Sequence, residues 1–405
     1  MKKMTDTQLV TPWEAKAEGG FNYDRLQEEF GLQMITPELI TNLEQATGHK
    51  ASHFLTRGIF FAHQDVDRII KAKRDGKEIF IYTGRGPSAD SLHIGHLIPM
   101  LFAVYLQHIF DCYVVIEISD EEKFYFKKGK LDEFLSYTQN NVKDIIACGF
   151  KPHKTFIFSS FKYQRYMRPL VAQLNKEVTI NTANKIYGFD LDTNLGQISW
   201  SSYQEAPAMC GAFPHLFGDR KDVLCLIPCA VDQAPYFRSL RDNCRKLGYP
   251  KPALICSKFL VALQGITEKM STSGTMAITV TDTLETLATK IRKYAFTGGG
   301  ATMAEHEKYG ADLTVDIPYI YLCHFMEDDE RLKLIAERYS SGKMTTKEIK
   351  DILYEVLSKI LKEHQQARSQ ITPDVYRMFM TMRVRPEARE YFTHFCDKYV
   401  NIDIN

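Results

Sequence analysis

The sequence has no excess of charge of either sign. Its 51 lysines and arginines stand against 50 aspartates and glutamates, which leaves a formal net charge of +1 over 405 residues. A protein that attracts nucleic acid through its overall field carries a marked basic excess, and this sequence has none. Any RNA-binding surface must therefore come from local basic patches, and the overall charge neither requires nor excludes an RNA partner.

Paired cysteines and long apolar runs are also missing. The nine cysteines form no CxxC pair, and the closest two, Cys225 and Cys229, have no second Cys or His pair spaced to complete a zinc site. We therefore interpret them as reduced cytosolic thiols and predict no metal held by the protein. The first residues lack the apolar region of a signal peptide, and no apolar run approaches the length that spans a bilayer. These absences favour a cytoplasmic protein that does not enter a membrane.

The chain does have enough apolar residues for a large core. Hydrophobic residues make up 44% of the sequence, and its length suits two domains. Short apolar runs lie at 78–82, 113–120, 155–158, 222–227 and 253–256. Helical stretches separate these runs, so the pattern predicts an α/β fold with a Rossmann-like, doubly wound parallel sheet.

The segments around this sheet have a different pattern. Residues 1–75 predict a leader of short helices, and residues 119–220 are longer than one crossover requires, which indicates a helical insertion. After Thr281-Asp282, a predicted helix cap, the pattern is helical only, and a capping box at Thr345 and Glu348 precedes a long amphipathic helix. The predicted domains are therefore 1–75, 76–280 with the insertion, and an all-helical 281–405.

One stretch has the pattern of a nucleotide site. The strand ending at Tyr82 runs into a glycine-rich turn at 84–86, and a helix is predicted to begin near His93. Glycines let a ligand approach the backbone, and a helix N-terminus attracts anions through its free N–H groups and dipole. His93 and His96 face one patch, and Gly95 leaves room for a flat ring. The stretch therefore suits ATP.

Polar residues at the ends of the strands predict one cleft. Tyr82, Ser159 and the stretches 117–122 and 230–233 lie at or just past the carboxyl end of a predicted strand. In an open parallel sheet these ends share one edge, where ligands bind. We therefore expect these four distant segments to converge.

A second polar stretch strengthens the nucleotide interpretation, because an isolated H-x-x-H pair is more often an ordinary surface or core feature. Lys269 and Ser271 lie in a short run that ends at Gly274, and such a segment can close over phosphates with a lysine and hydroxyls. The two stretches, in this order and separation, resemble the paired motifs of class I aminoacyl-tRNA synthetases. The resemblance implies ATP as a substrate and Mg²⁺ on its pyrophosphate, without a protein cage for the ion.

Longer strings narrow this resemblance to the eukaryotic and archaeal branch of tryptophanyl-tRNA synthetases. The similar strings lie at 11–13, 57–63, 82–88, 226–230, 232–233, 235–238 and 251–254. The resemblance implies activation of L-tryptophan to tryptophanyl-AMP, release of pyrophosphate, and transfer of tryptophan to tRNA(Trp). It also implies a homodimer formed largely by the insertion, and a C-terminal domain that reads the anticodon.

The resemblance also implies roles for individual residues. Catalytic roles are expected for His93, His96, Lys269 and Ser271. Nucleotide contacts are expected for Gly84, Arg85, Gly86, Gly95, Ile227, Ala230, Met270 and Ser273. Substrate contacts are expected for Tyr82, Glu117, Glu122, Lys123, Gln204 and Gln233. These types suit tryptophan, since a phenol oxygen accepts an indole N–H, a carboxylate offsets the ammonium group, and an amide serves either.

One position departs from the pattern of the family. Eukaryotic-type members usually carry a glutamine where this sequence has Glu117, and bacterial relatives use an acidic residue to fix the indole nitrogen. A carboxylate also accepts an N–H hydrogen bond, so we expect tryptophan binding to persist. A charge in a mostly apolar slot must be paired or protonated. The alternative is that Glu117 turns away and pairs with a nearby Lys or Arg.

Two other functions stay open. An adenylyl transferase or a tyrosine-specific synthetase uses the same chemistry, and amino-acid-dependent exchange of pyrophosphate into ATP separates these enzymes from a tryptophan ligase. A non-charging paralogue that acts as a binding or regulatory protein belongs to a different class. The intact motifs at His93, His96, Lys269 and Ser271 argue against it, while Glu117 keeps it open.

Overall fold

The computed structural model describes residues 8–11, 15–271 and 276–401. Within these ranges the strands are β1 (Gln8–Val10), β2 (Ala15–Ala17), β3 (Gln33–Met34), β4 (Phe60–Gln64), β5 (Ile79–Arg85), β6 (Tyr113–Ile118), β7 (Thr155–Ser159), β8 (Leu224–Ala230) and β9 (Ala253–Ser257). Strands β1 and β2 form a separate antiparallel pair, and the other seven form one sheet.

The sheet has the strand order β3-β4-β9-β8-β5-β6-β7. The five strands from β9 to β7 are parallel, as predicted, while β4 joins β9 and β3 joins β4 in the antiparallel sense. The chain moves from β5 to β6 and β7 on one side, and β8 and β9 lie on the other. The order therefore reverses beside β5, which opens a crevice at the carboxyl ends of β5 and β8.

The leader differs from the prediction. Residues 1–75 were expected to form short helices, yet β3 and β4 add two strands from this segment to the sheet. The predicted short helices are present, as four helices within 23–74, but the strands were missed because β4 is only five residues long and one of its partners, β9, lies far away in the chain. A local pattern cannot indicate such a pairing. Of the similar string at 11–13, residues 12 and 13 lie outside the described ranges.

Helices cover both faces of the sheet. In the described ranges they are α1 (Tyr23–Glu29), α2 (Pro37–Thr47), α3 (His53–Thr56), α4 (Val66–Arg74), α5 (Ile94–Phe110), α6 (Glu122–Phe126), α7 (Leu131–Ser136), α8 (Thr138–Ile146), α9 (Ser160–Glu177), α10 (Ile180–Tyr187), α11 (Leu195–Glu205), α12 (Pro214–Phe217), α13 (Ala234–Asn243), α14 (Leu284–Tyr294), α15 (Met303–Tyr309), α16 (Ile317–Phe325), α17 (Asp329–Ser340), α18 (Thr346–Ser369), α19 (Pro373–Met380) and α20 (Arg389–Tyr399). None of these helices is long and apolar enough to cross a membrane.

Successive side chains of β5 show how the two faces are buried. Ile81 packs into a cluster that contains residues of α5 and α18, while the next residue, Tyr82, packs into a second cluster with Trp200 of α11. Side chains alternate across a strand, so both faces of β5 must be covered by helices. This double cover explains why the strand reads as a continuous apolar run.

The C-terminal part is helical, as predicted. The capping box at Thr345 and Glu348 precedes α18, which packs against α14 and α16. The cap of α14 is Thr283, rather than the predicted Thr281-Asp282, because Asp282 instead accepts a hydrogen bond from Lys290 at 2.6 Å. Residues of α18 share a hydrophobic cluster with the sheet, and the domain limits near 75 and 280 stay predictions.

Candidate active site

The predicted site residues surround one cavity of about 270 Å³ at the carboxyl ends of β5 and β8. Those that line it are Tyr82, Gly84, Arg85, Gly86, His93, Gly95, His96, Glu122, Lys123, Gln204, Ile227, Ala230, Gln233, Lys269 and Met270. The fold therefore brings the histidine stretch and the lysine stretch together, as the resemblance to class I synthetases implied. Of the four strand-end segments, those at Tyr82, 117–122 and 230–233 contribute to the cavity, whereas Ser159 does not line it and donates a hydrogen bond to Asp120 at 2.5 Å.

The two histidines lie at the start of α5. His93 caps the helix in an extended conformation, and its backbone N–H donates to Nδ1 of His96 at 3.2 Å. The two rings stack with centroids 3.4 Å apart, and a side chain at Gly95 would press against the His93 ring. Burial, followed by the nearby Arg85 guanidinium, lowers the pKa of both imidazoles well below the ordinary value. Both are therefore neutral near pH 7, and Nε2 of His96 keeps its proton available for donation.

Arg85 carries a buried positive charge into this cavity. Its side chain is only 9% exposed, and one of its nitrogens donates to the carbonyl of Gly86 at 2.8 Å. Its Nε and Nη2 atoms have no hydrogen-bond partner among the described residues, and no carboxylate there forms an ion pair with it. Burial lowers the pKa of Arg85 to about 10, so the group remains charged at neutral pH. A buried cation in this state requires an anion.

Glu122 supplies negative charge on the other side of the turn. Its carboxylate accepts hydrogen bonds from Ser119 at 3.1 Å and from Lys123 at 3.0 Å. A side chain at Gly86 would displace this carboxylate, so the glycine leaves Glu122 free to approach the turn. Glu122 is close enough to Arg85 to raise the pKa of the guanidinium, although no ion pair joins the two among the described residues.

A hydrogen-bonded set of three side chains forms the base of the cavity. The Tyr82 hydroxyl donates to Oε2 of Glu117 at 2.5 Å, and Nε2 of Gln204 donates to the Tyr82 oxygen at 2.9 Å. Glu117 is fully buried behind Tyr82, so it does not line the cavity. Its partner is a tyrosine and not the Lys or Arg that the alternative required. Burial raises the pKa of Glu117 to about 8, which keeps the carboxyl group protonated at neutral pH.

Lys269 reaches the cavity from the opposite rim. Residues 260–261 hold it in place, since Val261 pairs with Lys269 and the N–H of Met270 donates to the carbonyl of Leu260 at 2.8 Å. Its ammonium group lies 2.5 Å from Oδ2 of Asp232. The other Asp232 oxygen, Oδ1, is buried without a hydrogen-bond partner in the described part of the chain.

Some predicted residues lie elsewhere. Ser271 lines an adjacent cavity that it shares with Lys269 and Met270, and Ser273 lies outside the described residues. Sequence reasoning gave no role to Asp232 as the partner of Lys269, or to Phe237, whose ring meets Tyr82 edge-on at 6.1 Å. The position of Asp232 at the end of β8 was the available signal. No group of three metal-ligating side chains occurs among the residues the structure describes.

Comparison with known proteins decides the family. Residues 73–362 match the family described as tRNA synthetases class I (W and Y). The chain belongs to this family of class I synthetases. It is 47% identical over 386 residues to the cytoplasmic tryptophan–tRNA ligase of Dictyostelium discoideum, covering 94% of this chain and 96% of that protein.

Other relatives of this class I synthetase agree. The human cytoplasmic tryptophan–tRNA ligase is 44% identical over 384 residues, covering 93% of this chain and 82% of that protein. The crystal structure of Plasmodium falciparum tryptophanyl-tRNA synthetase is 39% identical and superposes with a TM-score of 0.84, covering 94% of this chain and 100% of that one. The family match extends from α4 to α18 and therefore includes both motif stretches.

Proposed function

We propose that this synthetase activates L-tryptophan with ATP, releases pyrophosphate, and transfers tryptophan from tryptophanyl-AMP to tRNA(Trp). The observation that carries the proposal is the Arg85 guanidinium, which belongs to a residue lining the cavity, has two buried nitrogens without a hydrogen-bond partner and forms no ion pair among the described residues. An anionic substrate such as a triphosphate or a carboxylate satisfies it. The names of the relatives support tryptophan as the amino acid.

The proposed reaction needs alignment and charge neutralisation more than covalent catalysis. A carboxylate oxygen of tryptophan attacks the α-phosphorus of ATP, and the bond from that phosphorus to the bridging oxygen of pyrophosphate breaks. Neutral His96 donates its Nε2 proton as a hydrogen bond to the phosphates. Lys269 leaves Asp232 and neutralises the departing pyrophosphate. Ser271 and Ser273 belong to the same stretch, and their hydroxyls stay proposed ligands of the phosphates.

The base of the cavity suits the indole ring. With its proton committed to Glu117, the Tyr82 oxygen presents acceptor capacity toward the cavity. Gln204 fixes the position of that oxygen, and Glu122 is placed to offset the ammonium group. A site built around a buried polar group rejects an analogue that lacks the matching group by roughly 10⁴-fold to 10⁵-fold, so one pocket is enough for selection.

The residues of this site fit a Mg²⁺ ion that is held mainly by the phosphates of ATP. The Oδ1 atom of Asp232, which has no hydrogen-bond partner in the described part of the chain, is a suitable metal ligand beside Lys269. No group of three metal-ligating side chains occurs among the described residues. Mg²⁺ is usually held by substrate phosphates and water with one or two carboxylates. The ion supplies charge neutralisation to the phosphates when bound.

We further propose the cytoplasm as the location, following the names of the relatives, and a homodimer as the assembly. Several large apolar side chains of the insertion face outward, and the most exposed are Ile180, Leu191 and Leu195, at 68%, 99% and 83%. Apolar side chains this exposed in one segment support the proposal that a second copy covers this surface. The helices after 284 are the proposed anticodon reader.

Amino-acid-dependent exchange of pyrophosphate into ATP tests the proposed function. Exchange with tryptophan alone among the twenty amino acids is expected. Exchange with tyrosine but not tryptophan identifies a tyrosine-specific enzyme. Tryptophan binding without exchange and without charging of any tRNA identifies a non-charging paralogue.

His96→Ala is the matched test of the histidine stretch. The variant loses a hydrogen-bond donor to the phosphates of ATP. Its rate of pyrophosphate exchange should therefore fall by about 10²-fold to 10³-fold, while its circular dichroism spectrum is unchanged. His153→Ala removes an exposed histidine elsewhere and should keep the full rate. A normal rate in a well-folded His96→Ala variant refutes the role assigned to this residue.

A further inference from the structure

The two nucleotide stretches are joined by backbone hydrogen bonds outside the cavity. The N–H of Val280 donates to the carbonyl of Leu92 at 2.9 Å, and the N–H of Ile94 donates to the carbonyl of Ile278 at 2.9 Å. These bonds flank an antiparallel bridge between His93 and Thr279. The segment 278–280, which follows the lysine stretch, is therefore paired directly with the residues that begin the histidine helix.

The C-terminal end of α18 contacts one side of this junction. Gln365, in the last turns of α18, donates from Nε2 to the carbonyl of Val280 at 2.8 Å and to the carbonyl of Asp282 at 3.0 Å. Asp282 in turn accepts a hydrogen bond from the backbone of Thr279 at 3.0 Å. One side chain of the helical C-terminal region thus holds the segment that follows the lysine stretch.

The same end of α18 contacts the other side of the junction through Asp144 of α8. Asp144 is fully buried, and its Oδ2 accepts a hydrogen bond from the backbone N–H of Leu92 at 3.0 Å. Its Oδ1 accepts from Nε of Arg368 at 2.6 Å, and His364 contacts its backbone carbonyl at 2.9 Å. The carboxylate therefore bridges α18 and the residue immediately before His93.

We propose that Asp144, Gln365 and Arg368 are positioning residues through which the end of α18 sets the placement of the histidine stretch relative to the lysine stretch. This inference rests on the proposed function, since the two stretches act together only if they bind one triphosphate. The side chains of these three residues form no hydrogen bond with the imidazoles of the histidine stretch or with the ammonium group of Lys269 among the described contacts. They act on the backbone at Leu92, Val280 and Asp282. Leu92 directly precedes His93, whereas Val280 and Asp282 lie more than ten residues after Lys269.

The energetics favour a mechanical link over incidental contacts. A carboxylate that is fully buried is stabilised only by its partners, and each of its two oxygens has one. Loss of Arg368 leaves the Asp144 charge without its cation, so the carboxylate and the Leu92 N–H that it holds must move or protonate. Catalysis that depends on alignment is sensitive to such movement, since a displacement of about 1 Å can cost roughly 10²-fold in rate.

Kinetics of pyrophosphate exchange provide the first readout. Arg368→Gln is expected to lower kcat or raise the KM for ATP by about tenfold, while the KM for tryptophan changes by less than about twofold. The double variant that combines Asp144→Asn with Arg368→Gln should be no less active than the less active of the two single variants, because both substitutions break the same connection. The control is Arg331→Gln, which breaks an ion pair between α17 and Glu355 near the middle of α18 and should leave all three constants unchanged.

Hydrogen–deuterium exchange provides a second readout that does not require activity. In Arg368→Gln, peptides covering residues 89–97 and 277–282 should exchange about tenfold faster, while peptides from β6 and β7 exchange as in the parent chain. Unchanged exchange in both peptides, or an equal rise throughout the protein, overturns the inference. A parent chain that fails to exchange pyrophosphate with any amino acid refutes the proposed function, and the deuterium result still decides the link.

Discussion

Glu117 shows what a single residue type does and does not reveal. The sequence identified it as an acidic residue in an apolar slot that must be paired or protonated. The structure supplies the partner, Tyr82, and buries the carboxyl completely. That partner could not be predicted, because the hydroxyl of Tyr82 reaches Glu117 from the neighbouring strand, and strand register is set by the whole sheet.

Titration of Glu117 gives a pH-dependent stability. Its pKa rises from about 4.5 to about 8 in the folded chain, so between these values the folded state holds one more proton than the unfolded state. Stability relative to Glu117→Gln should therefore fall as pH rises from 5 to 8, by up to about 1.4 kcal/mol per pH unit.

Urea unfolding of both proteins at several pH values measures this difference. Glu205, whose pKa burial raises to about 7, is present in both chains and cancels in the comparison. A difference in the free energy of unfolding that is constant from pH 5 to pH 8 shows that Glu117 does not titrate in this range.

Arg85 should show opposite effects on stability and activity. Replacement by methionine removes a buried charge that has no ion-pair partner in the described residues, so the free energy of unfolding should stay equal or rise. The rate of pyrophosphate exchange should fall by about 10²-fold to 10³-fold, because a donor to the substrate is lost. Arg245→Met, at an exposed position, should change neither. A destabilised but active Arg85→Met variant contradicts the role assigned to this guanidinium.

Among the strands and helices, those with a strong local pattern were predictable. The sequence located the strand, turn and helix around 78–97, and the structure places them at β5 and α5. It also located α18 through its period and capping box. Strands β3 and β4 were missed because they are two and five residues long, and because their stabilisation comes from pairing with strands that are distant in sequence.

The capping box of α18 has a measurable energy. Thr345 accepts a hydrogen bond from the N–H of Glu348 at 3.1 Å, and the Glu348 carboxylate accepts one from the backbone N–H of Thr345 at 2.6 Å. Thr345→Ala should therefore lower the free energy of unfolding by about 1 kcal/mol. Lys347→Ala, an exposed change in the same turn, should stay within about 0.5 kcal/mol of the parent protein. Equal losses in the two variants indicate a general sensitivity of this turn and not a cap.

For the molecule as a whole, the cleft was predictable from the carboxyl ends of parallel strands, and the meeting of the two motif stretches from the resemblance of the motif pair. The connection of both stretches to α18 was not, because it depends on side chains such as Gln365 and Asp144 whose partners are backbone groups of distant segments. Such hydrogen bonds have no sequence pattern. The motifs in the sequence therefore predict which residues meet the substrate, whereas the residues that hold the two motifs in position can be identified only from the structure.

The assembly of the protein can be tested at the exposed apolar segment. Leu191→Asp combined with Leu195→Asp should convert the proposed dimer into a monomer, since charges cannot be buried unpaired in an apolar interface. Sedimentation velocity measures the change. Leu334→Asp alters an exposed leucine of α17, at 55% exposure, and should leave the dimer intact. A dimer that persists in the double variant places the interface elsewhere.

The most direct test offers all twenty amino acids at once. The protein is mixed with ATP, Mg²⁺ and an equimolar mixture of amino acids, and the enzyme-bound adenylate formed in a single turnover is identified by mass spectrometry. A cavity that combines the Arg85 cation with the Tyr82, Glu117 and Gln204 set should yield tryptophanyl-AMP. Tyrosyl-AMP as the main product, or no aminoacyl adenylate from a folded protein, contradicts this account.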